Sequence, residues 1–486
     1  MSWNGRISRR VSSPCASVAA WASPRSLSAF EVASEATLSR AADGASVQGS
    51  IGIRREDKSI WERRVPLVPA DLGWLRREHG IEALVERSER RVYVDAAYAD
   101  AGARLVEVGA LAEADAIFAV KEVPRDLLVP ERIYAFFAHV IKGQPYNMPL
   151  LRTLLDRRIT LIDYERIADG HGHRLVKFGV EAGQAGMLDG LWALGRRLQL
   201  EGRETPLLEL RQAHRYEGVD EAKAVLRALA LRIAERGLDP GDGPLVVGFT
   251  GRGSVSQGAQ EIFDLLPHEV VEPERLAEVA AEPARDRLIK VVFDKRHLAM
   301  PIDPAKRFVE VEYHHHPERY RGRLHDFLPF VHTLVNGIYW TEDYPRFVSR
   351  EAVRTLWARS ERRLRLVVDI TCDIDGAIEL THRATQPDDP VYVFDPERDV
   401  FLDGAEADGV AVLAVDNLPC ELPRDASDHF SEALRDFVPA IATADIEKPL
   451  GRLDLPPEVE RAVVTHRGKL TLDYRYLEKD LAAAGV

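Results

Sequence analysis

Cysteine is nearly absent. The 486 residues contain three, Cys15, Cys372 and Cys420, far apart and without a CxxC pair. That scarcity argues against a disulfide framework and a structural zinc site, and makes a reducing compartment the expected setting. Long apolar runs are missing too: no stretch approaches the ~18 residues that mark a membrane-crossing helix. Positive charge is in deficit, with 65 Lys plus Arg against 78 Asp plus Glu and a formal net charge of −13. An acidic chain of this kind is poor material for a nucleic-acid or membrane-surface binder. Arginine outnumbers lysine roughly five to one, which reads as a coding bias because the acids outnumber both. No internal repeat is present.

Acids are also missing from the opening, where none precedes Glu31 while Arg6, Arg9, Arg10 and Arg25 sit among Ser and Ala. Residues 1–50 therefore read as an extension outside the fold. A cytoplasmic location is expected, with a mitochondrial one if this stretch is a transit peptide.

What is present is ordinary for a soluble enzyme of two or three domains: 45% hydrophobic and 29% charged residues,. From Ser50 onward, short apolar runs alternate with helical patterns. Strands are expected at 51–53, 83–85, 114–120, 134–139 and 159–163, with a helix from Pro69 to about His79. This alternation indicates βαβ units and a parallel sheet. A long helix follows from Val180 to about Leu200 through Gly183, Gly186 and Gly190, then an amphipathic helix over 218–236. Further strands are expected at 289–293, 330–335, 365–370 and 410–415. The tail from about 425 reads as helical and then irregular.

Three groups of residues suggest chemistry. The sharpest is Leu245–Ala259, an apolar strand, a turn with Gly251, Arg252 and Gly253, and a helix. Such a turn brings backbone N–H groups close to a pyrophosphate at a helix N-terminus. The spacing departs from GxGxxG, with Ser256 third and Gly258 two residues late, so a tight βα turn without a ligand is the alternative. Glu272, about twenty residues on, is placed to bind a ribose 2′-hydroxyl, or is a surface charge. The second group is Lys121, Glu122 and His139, at the C-terminal ends of expected parallel strands, where open α/β sheets bind ligands. A lysine desolvated there and a histidine could move protons; a surface lysine and a core histidine are the plain alternatives. The third is Arg64, Lys142, Glu165 and Arg174, a mixed-charge set suited to a substrate with several carboxylates and an amine. His314-His315-His316 is read as a non-metal site, because three adjacent side chains cannot face one ion on a regular element and no acid is spaced for the i,i+4 pattern; Asp369, Asp373 and Asp375 are discounted likewise.

Ordered blocks along the chain resemble a known family. They include Ile51-Gly52-Ile53-Arg54-Arg55-Glu56-Asp57 with Trp61-Glu62-Arg63-Arg64, Tyr134–His139, Leu161–Glu165, Ala182–Met187, Phe249-Thr250-Gly251, His316–Tyr320, Asn336–Trp340 and Asp416–Pro419. Over about 50–475 the sequence resembles the lysine–2-oxoglutarate reductases, within the superfamily of alanine dehydrogenases and lysine-forming saccharopine dehydrogenases. The resemblance implies an α/β fold of two Rossmann-like domains with parallel sheets and an interdomain cleft. The first domain would be discontinuous, 51–185 and 377–486, around a dinucleotide-binding domain at 186–376.

It also implies roles. Lys121 and His139 match the proton-handling pair, and Arg64 a carboxylate-binding arginine. Glu122, Lys142, Glu165, Arg174 and Phe178 match cleft residues. Gly251, Arg252, Gly253, Val255, Ser256 and Gly258 match the pyrophosphate turn. Asn336, Ile338, Asp416 and Leu418 match strand ends flanking a nicotinamide. The implied reaction condenses lysine with 2-oxoglutarate to saccharopine using NADP(H), ahead of NAD(H). The alternative is the NAD-dependent lysine-forming direction. No glutamate-forming saccharopine dehydrogenase half follows in this chain, so a single step is expected. A homo-oligomer is compatible with these expectations; nucleic acid and membrane are not expected partners.

Overall fold

A computed structural model describes residues 49–238, 240–283, 286–359 and 362–485. Cys15 and the expected extension at 1–48 fall outside the described residues. No helix among the described residues is long and apolar enough to cross a membrane.

Two eight-stranded sheets organise the chain. The first holds β1 (Gly49–Ile53), β2 (Ile81–Glu86), β3 (Arg104–Val106), β4 (Ala116–Phe118), β5 (Ile133–Phe136) and β6 (Thr160–Asp163), closed by β17 (Val463–His466) and β18 (Lys469–Leu470). Its parallel part runs β6-β5-β4-β1-β2-β3, the doubly wound order with a switch point between β1 and β4. These strands are buried on both faces, with Ile51, Ile53, Phe118 and Ala135 fully inaccessible, and so read as short apolar runs. The tail expected to be irregular supplies β17, which pairs antiparallel with β6 and carries a register shift between Val463 and Thr465. That irregularity hides the period-two pattern from a sequence reading.

The second sheet holds β7 (Val246–Thr250), β8 (His268–Val270), β9 (Leu288–Phe293), β12 (Thr333–Asn336), β13 (Leu366–Asp369), β14 (Val391–Asp395), β15 (Val400–Asp403) and β16 (Val410–Leu413). A small antiparallel pair, β10 (Ala299–Pro301) and β11 (Tyr320–Gly322), stands apart. The expected return to the first domain at 377 needs correction. Strands β14 to β16 complete the second sheet, and the chain rejoins the first core only with the helix Pro423–Arg435, whose Phe430 and Leu434 pack there. An antiparallel hairpin added to a parallel sheet has no signature beyond its apolar runs, so the boundary was read too early.

The helices Gly179–Leu200 and Ser254–Phe263 cross in close contact, and glycine makes this crossing fit. A Cβ on Gly183 would stand 2.0 Å from Val255 O and 2.6 Å from Ala259 N, and one on Gly258 2.1 Å from Val180 O. Backbone cannot step aside as a side chain can. Gly183→Ala is therefore expected to destabilise the fold by about 1–3 kcal/mol or more, seen as a lowered denaturation midpoint. Gly253→Ala, with open space around the added atom and a φ of −74°, is expected to change stability by less than about 0.5 kcal/mol.

Candidate active site

The C-terminal ends of β1, β4, β5 and β6 converge at the switch point of the first sheet, and each delivers functional side chains. After β1 come Glu56, Glu62 and Arg64; after β4, Lys121 and Glu122; after β5, His139; at the end of β6, Asp163, and after it Glu165. Strands β4 and β5 are paired in parallel, and Lys121 and His139 each stand three residues beyond the end of their strand.

Arg64 and Glu62 form a pair whose side chains are both 1% exposed. Arg64 Nε donates to Glu62 Oε1 at 2.8 Å and Nη2 to Oε2 at 2.6 Å. Asn417 joins them, its Oδ1 accepting from Arg64 Nη2 at 3.0 Å and its Nδ2 donating to Glu62 Oε2 at 3.0 Å. The Arg64 guanidinium lies 4.3 Å over the Phe178 ring, which stacks on Phe430 at 4.5 Å. Burial alone would raise the Glu62 carboxyl; the charge and hydrogen bonds of Arg64, with Lys121 and Asn417, overcome it and hold the group at about 2.

Beneath them Glu56 is buried and accepts from Val120 N at 2.6 Å and Lys121 N at 3.0 Å, which fixes the backbone that presents Lys121. Burial and the nearby Glu62 charge push its carboxyl up to about 8. Lys121 is pressed below the ordinary lysine range by burial and by Arg64 and Lys58, against Glu62 and Glu122. His139 is lowered by burial and by Lys121, against Glu122 and Glu165, which keeps the imidazole neutral near pH 7,. Its Nε2 is 3.9 Å from Glu122 Oε1, and its φ of +53° is an uncommon backbone state for a histidine,. Glu122 also pairs with Lys58 at 2.7 Å. Arg174 is 3.4 Å from Glu165, whose Oε2 is buried without a hydrogen-bond partner. Burial and the Asp369 charge push the Asp373 carboxyl, after β13, upward, and the exposed Lys142 partly offsets them.

The second sheet faces this cluster with its own strand ends. Gly251 follows β7 with a φ of +72°, and a Cβ there would strike Ile338 Cγ1 at 2.7 Å. Ser256 Oγ donates to Gly251 O at 2.8 Å and fixes the turn. Val255 and the Ser256 N–H lie against Gly337, while Thr250 Oγ1 donates to Asn336 Oδ1 at 2.7 Å. The glycine turn and the open space at Gly253 fit a pyrophosphate approached by backbone N–H groups,. Asp416 is exposed, whereas the Leu418 side chain is buried against the 179–200 helix at Gly186. Asp369 accepts from Asn336, Thr371 and Thr381 as an internal acceptor. The three histidines diverge: His314 bonds Tyr344, His315 bonds Val311 O and His316 bonds Glu318.

Glu272 requires a correction of placement. The spacing argument assumes that the strand following the glycine turn in sequence lies beside β7. Instead β9 pairs with β7, and β8, which precedes Glu272, is the outer edge strand. Glu272 is exposed. The acid after the neighbouring strand is Asp294, which accepts from Arg252 Nε at 2.7 Å. Glu56, Glu62, Asn417 and Asp294 had no assigned role on sequence grounds. The Glu62-x-Arg64 spacing was the one local signal for any of them.

Models of the alanine dehydrogenase/PNT family match the chain over 52–185 for the N-terminal domain and 338–473 for the C-terminal domain. Alpha-aminoadipic semialdehyde synthase of Arabidopsis thaliana is 38% identical over 451 residues, 89% of this chain and 41% of the relative, so the chain spans less than half of that protein. A saccharopine dehydrogenase (NAD(+), L-lysine-forming) of Emericella nidulans is 27% identical over 398 residues, 79% of this chain and 90% of the relative. The solved structure of an L-alanine dehydrogenase superposes with a TM-score of 0.58 at 17% identity, covering 90% of this chain and 99% of that one, which shows the fold. With its two α/β sheets and strand-end cleft, the chain belongs to the alanine dehydrogenase/PNT family and is related to the alpha-aminoadipic semialdehyde synthases.

Proposed function

We propose that this protein is an oxidoreductase that condenses L-lysine with 2-oxoglutarate and reduces the product to saccharopine, using NAD(P)H. The observation that carries the reading is the placement of a desolvated lysine and a neutral histidine on adjacent strand ends, beside a buried arginine. In this reading the first sheet carries the substrate and the second, with Gly251, the dinucleotide.

The ε-amine of lysine attacks the ketone carbon of 2-oxoglutarate, and loss of water leaves an imine. The bound nicotinamide supplies the hydride that reduces it. The overall balance is lysine, 2-oxoglutarate, NAD(P)H and a proton giving saccharopine, NAD(P)⁺ and water. Lys121 and His139 accept and return protons during addition and dehydration; burial lowers the proton affinity of both, which favours the deprotonated form a base needs,. Arg64, Arg174 and Lys142 hold the carboxylates, and Glu122 and Glu165 hold the amine. Gly251, Gly253, Val255 and Ser256 cradle the pyrophosphate, while Gly258 serves the helix crossing; Asn336, Ile338, Asp416 and Leu418 flank the nicotinamide.

Arg252 and Asp294 bear on cofactor choice. An arginine favours the 2′-phosphate of NADP(H) and an acid beside the first strand favours the free ribose of NAD(H); here the two are bonded to each other, and NADP(H) ahead of NAD(H) rests on the family resemblance. The test is absorbance of reduced nicotinamide with lysine and 2-oxoglutarate present. Substrate-dependent oxidation, faster with NADPH than with NADH, is expected. No oxidation with either cofactor would overturn the reading, and a strong preference for NADH with efficient lysine formation from saccharopine would reverse its direction.

A further inference from the structure

The donors of Arg64 are unevenly committed. A guanidinium has five N–H groups. Glu62 takes the one on Nε and one on Nη2, and Asn417 Oδ1 takes another from Nη2. Both Nη2 hydrogens are therefore spent. Nη1 makes no hydrogen bond among the described residues, and Phe178 covers one face of the group. An incoming carboxylate thus meets Arg64 at Nη1 alone and cannot use a two-point Nη1/Nη2 edge.

Asn417 holds this arrangement. Its amide is locked by opposite demands: the oxygen faces a guanidinium and the nitrogen a carboxylate, and a flipped amide would set donor against donor. It comes from the segment between β16 of the second sheet and the 423–435 helix packed in the first core. Asp416 precedes it at the cleft. The same amide therefore ties the substrate arginine to the strand end beside the expected nicotinamide.

We propose that Asn417 is a positioning residue that confines the substrate carboxylate to the Nη1 side of Arg64. This rests on the reading of Arg64 as a carboxylate ligand. Without the amide, an Nη2 hydrogen is released and a two-point Nη1/Nη2 grip becomes available. That grip is stronger and misplaced, and a shift of about 1 Å can cost about 10²-fold in rate.

The test uses the full chain with Asn417→Ala and Asn417→Asp. For Asn417→Ala, kcat is expected to fall by about 10-fold or more while KM for 2-oxoglutarate is unchanged or lower. Glutarate, an unreactive dicarboxylate, should bind at least as tightly by calorimetry. In Asn417→Asp the new carboxyl reproduces the amide pattern only when protonated, donating to Glu62 and accepting from Nη2. Its kcat relative to the wild type at the same pH should therefore recover as pH falls, which Asn417→Ala should not show. A raised KM with retained kcat, weaker glutarate binding in the alanine variant, or a flat pH ratio for the aspartate variant overturns the proposal. A wild-type chain that binds glutarate without turning over lysine and 2-oxoglutarate overturns the reaction alone, and glutarate affinity then decides the role of Asn417. A wild-type chain that does neither overturns both.

Discussion

Lys121→Met combined with His139→Gln is expected to lower kcat by about 10²–10⁴-fold, the range for loss of general acid–base groups, while NAD(P)H still binds. Both residues stand beyond the ends of paired strands, and neither supplies a core side chain. The loss should therefore appear in turnover and leave the melting temperature and the fluorescence of bound NADPH in place. The single variants separate the roles by pH. His139 sits below the usual imidazole value of 6.5, so the wild-type rate should decline on the acid side only below that value, and His139→Gln should flatten this limb. Lys121 sits below 10.5, so Lys121→Met should act on the alkaline limb. Near-normal turnover of the double variant would remove both residues from the mechanism.

Arg64→Met should have the largest effect on stability. Removing one partner of a buried ion pair leaves the other charge uncompensated, at about 3–5 kcal/mol. The pH dependence carries the signature. In the wild type the Glu62 carboxyl is depressed to about 2. Its contribution is therefore present above the usual glutamate value of 4.5 and lost as pH falls through 2. Without Arg64, burial raises the carboxyl instead. Its proton is then retained at low pH, and stability is lost as pH rises past the usual value. Glu421 at about 8 and Asp163 at about 7 are common to both proteins, and Glu56, raised first by its burial and only then by the Glu62 charge, keeps that burial in both. The difference in denaturation free energy between wild type and variant should thus be larger at pH 8 than at pH 5. An equal loss at both would mean that Glu62 is not carrying the charge.

Much of the architecture was legible because it is written in local patterns. Apolar runs buried on both faces announce parallel strands, and Gly183, Gly186 and Gly190 on one helix announce a close neighbour. The helix expected from Pro69 to about His79 spans Pro69–His79, where a proline suits the first turn and Gly80 in a left-handed state ends it. The antiparallel additions were not legible. Strands β14 to β16 and β17 look like any other short apolar run, and which sheet they join is set by strand pairing, Ala411 of β16 on Leu366 of β13 and Val463 of β17 on Ile162 of β6.

The same division runs through the site. Lys121 and His139 were found from sequence because strand ends can be located by counting. Arg64, Glu122, Lys142, Glu165 and Arg174 stood out as charged residues and were given roles by the family resemblance, which alone pointed to Phe178; the structure brings Arg64 to Phe178, Glu122 to His139 and Glu165 to Arg174. Asn417 is 353 residues from Arg64 in sequence, a separation at which no spacing rule operates.

The sequence by itself determined the acidic charge balance, the α/β class, the glycine turn at 251–253 and the ionisable side chains at strand ends, since each depends on composition or on residues close in the chain. Only the tertiary structure decided which acid stands beside the first nucleotide strand, Asp294 in place of Glu272, because strand order in space is set by sheet packing and not by order along the chain. It also decided the state of each ionisable group. A carboxylate at about 2 and another at about 8, Glu62 and Glu56, stand six residues apart in one segment. Both are buried, which raises a carboxyl; Glu62 meets a guanidinium that overcomes its burial, whereas Glu56, raised further by the Glu62 charge, has only two backbone N–H groups to set against it.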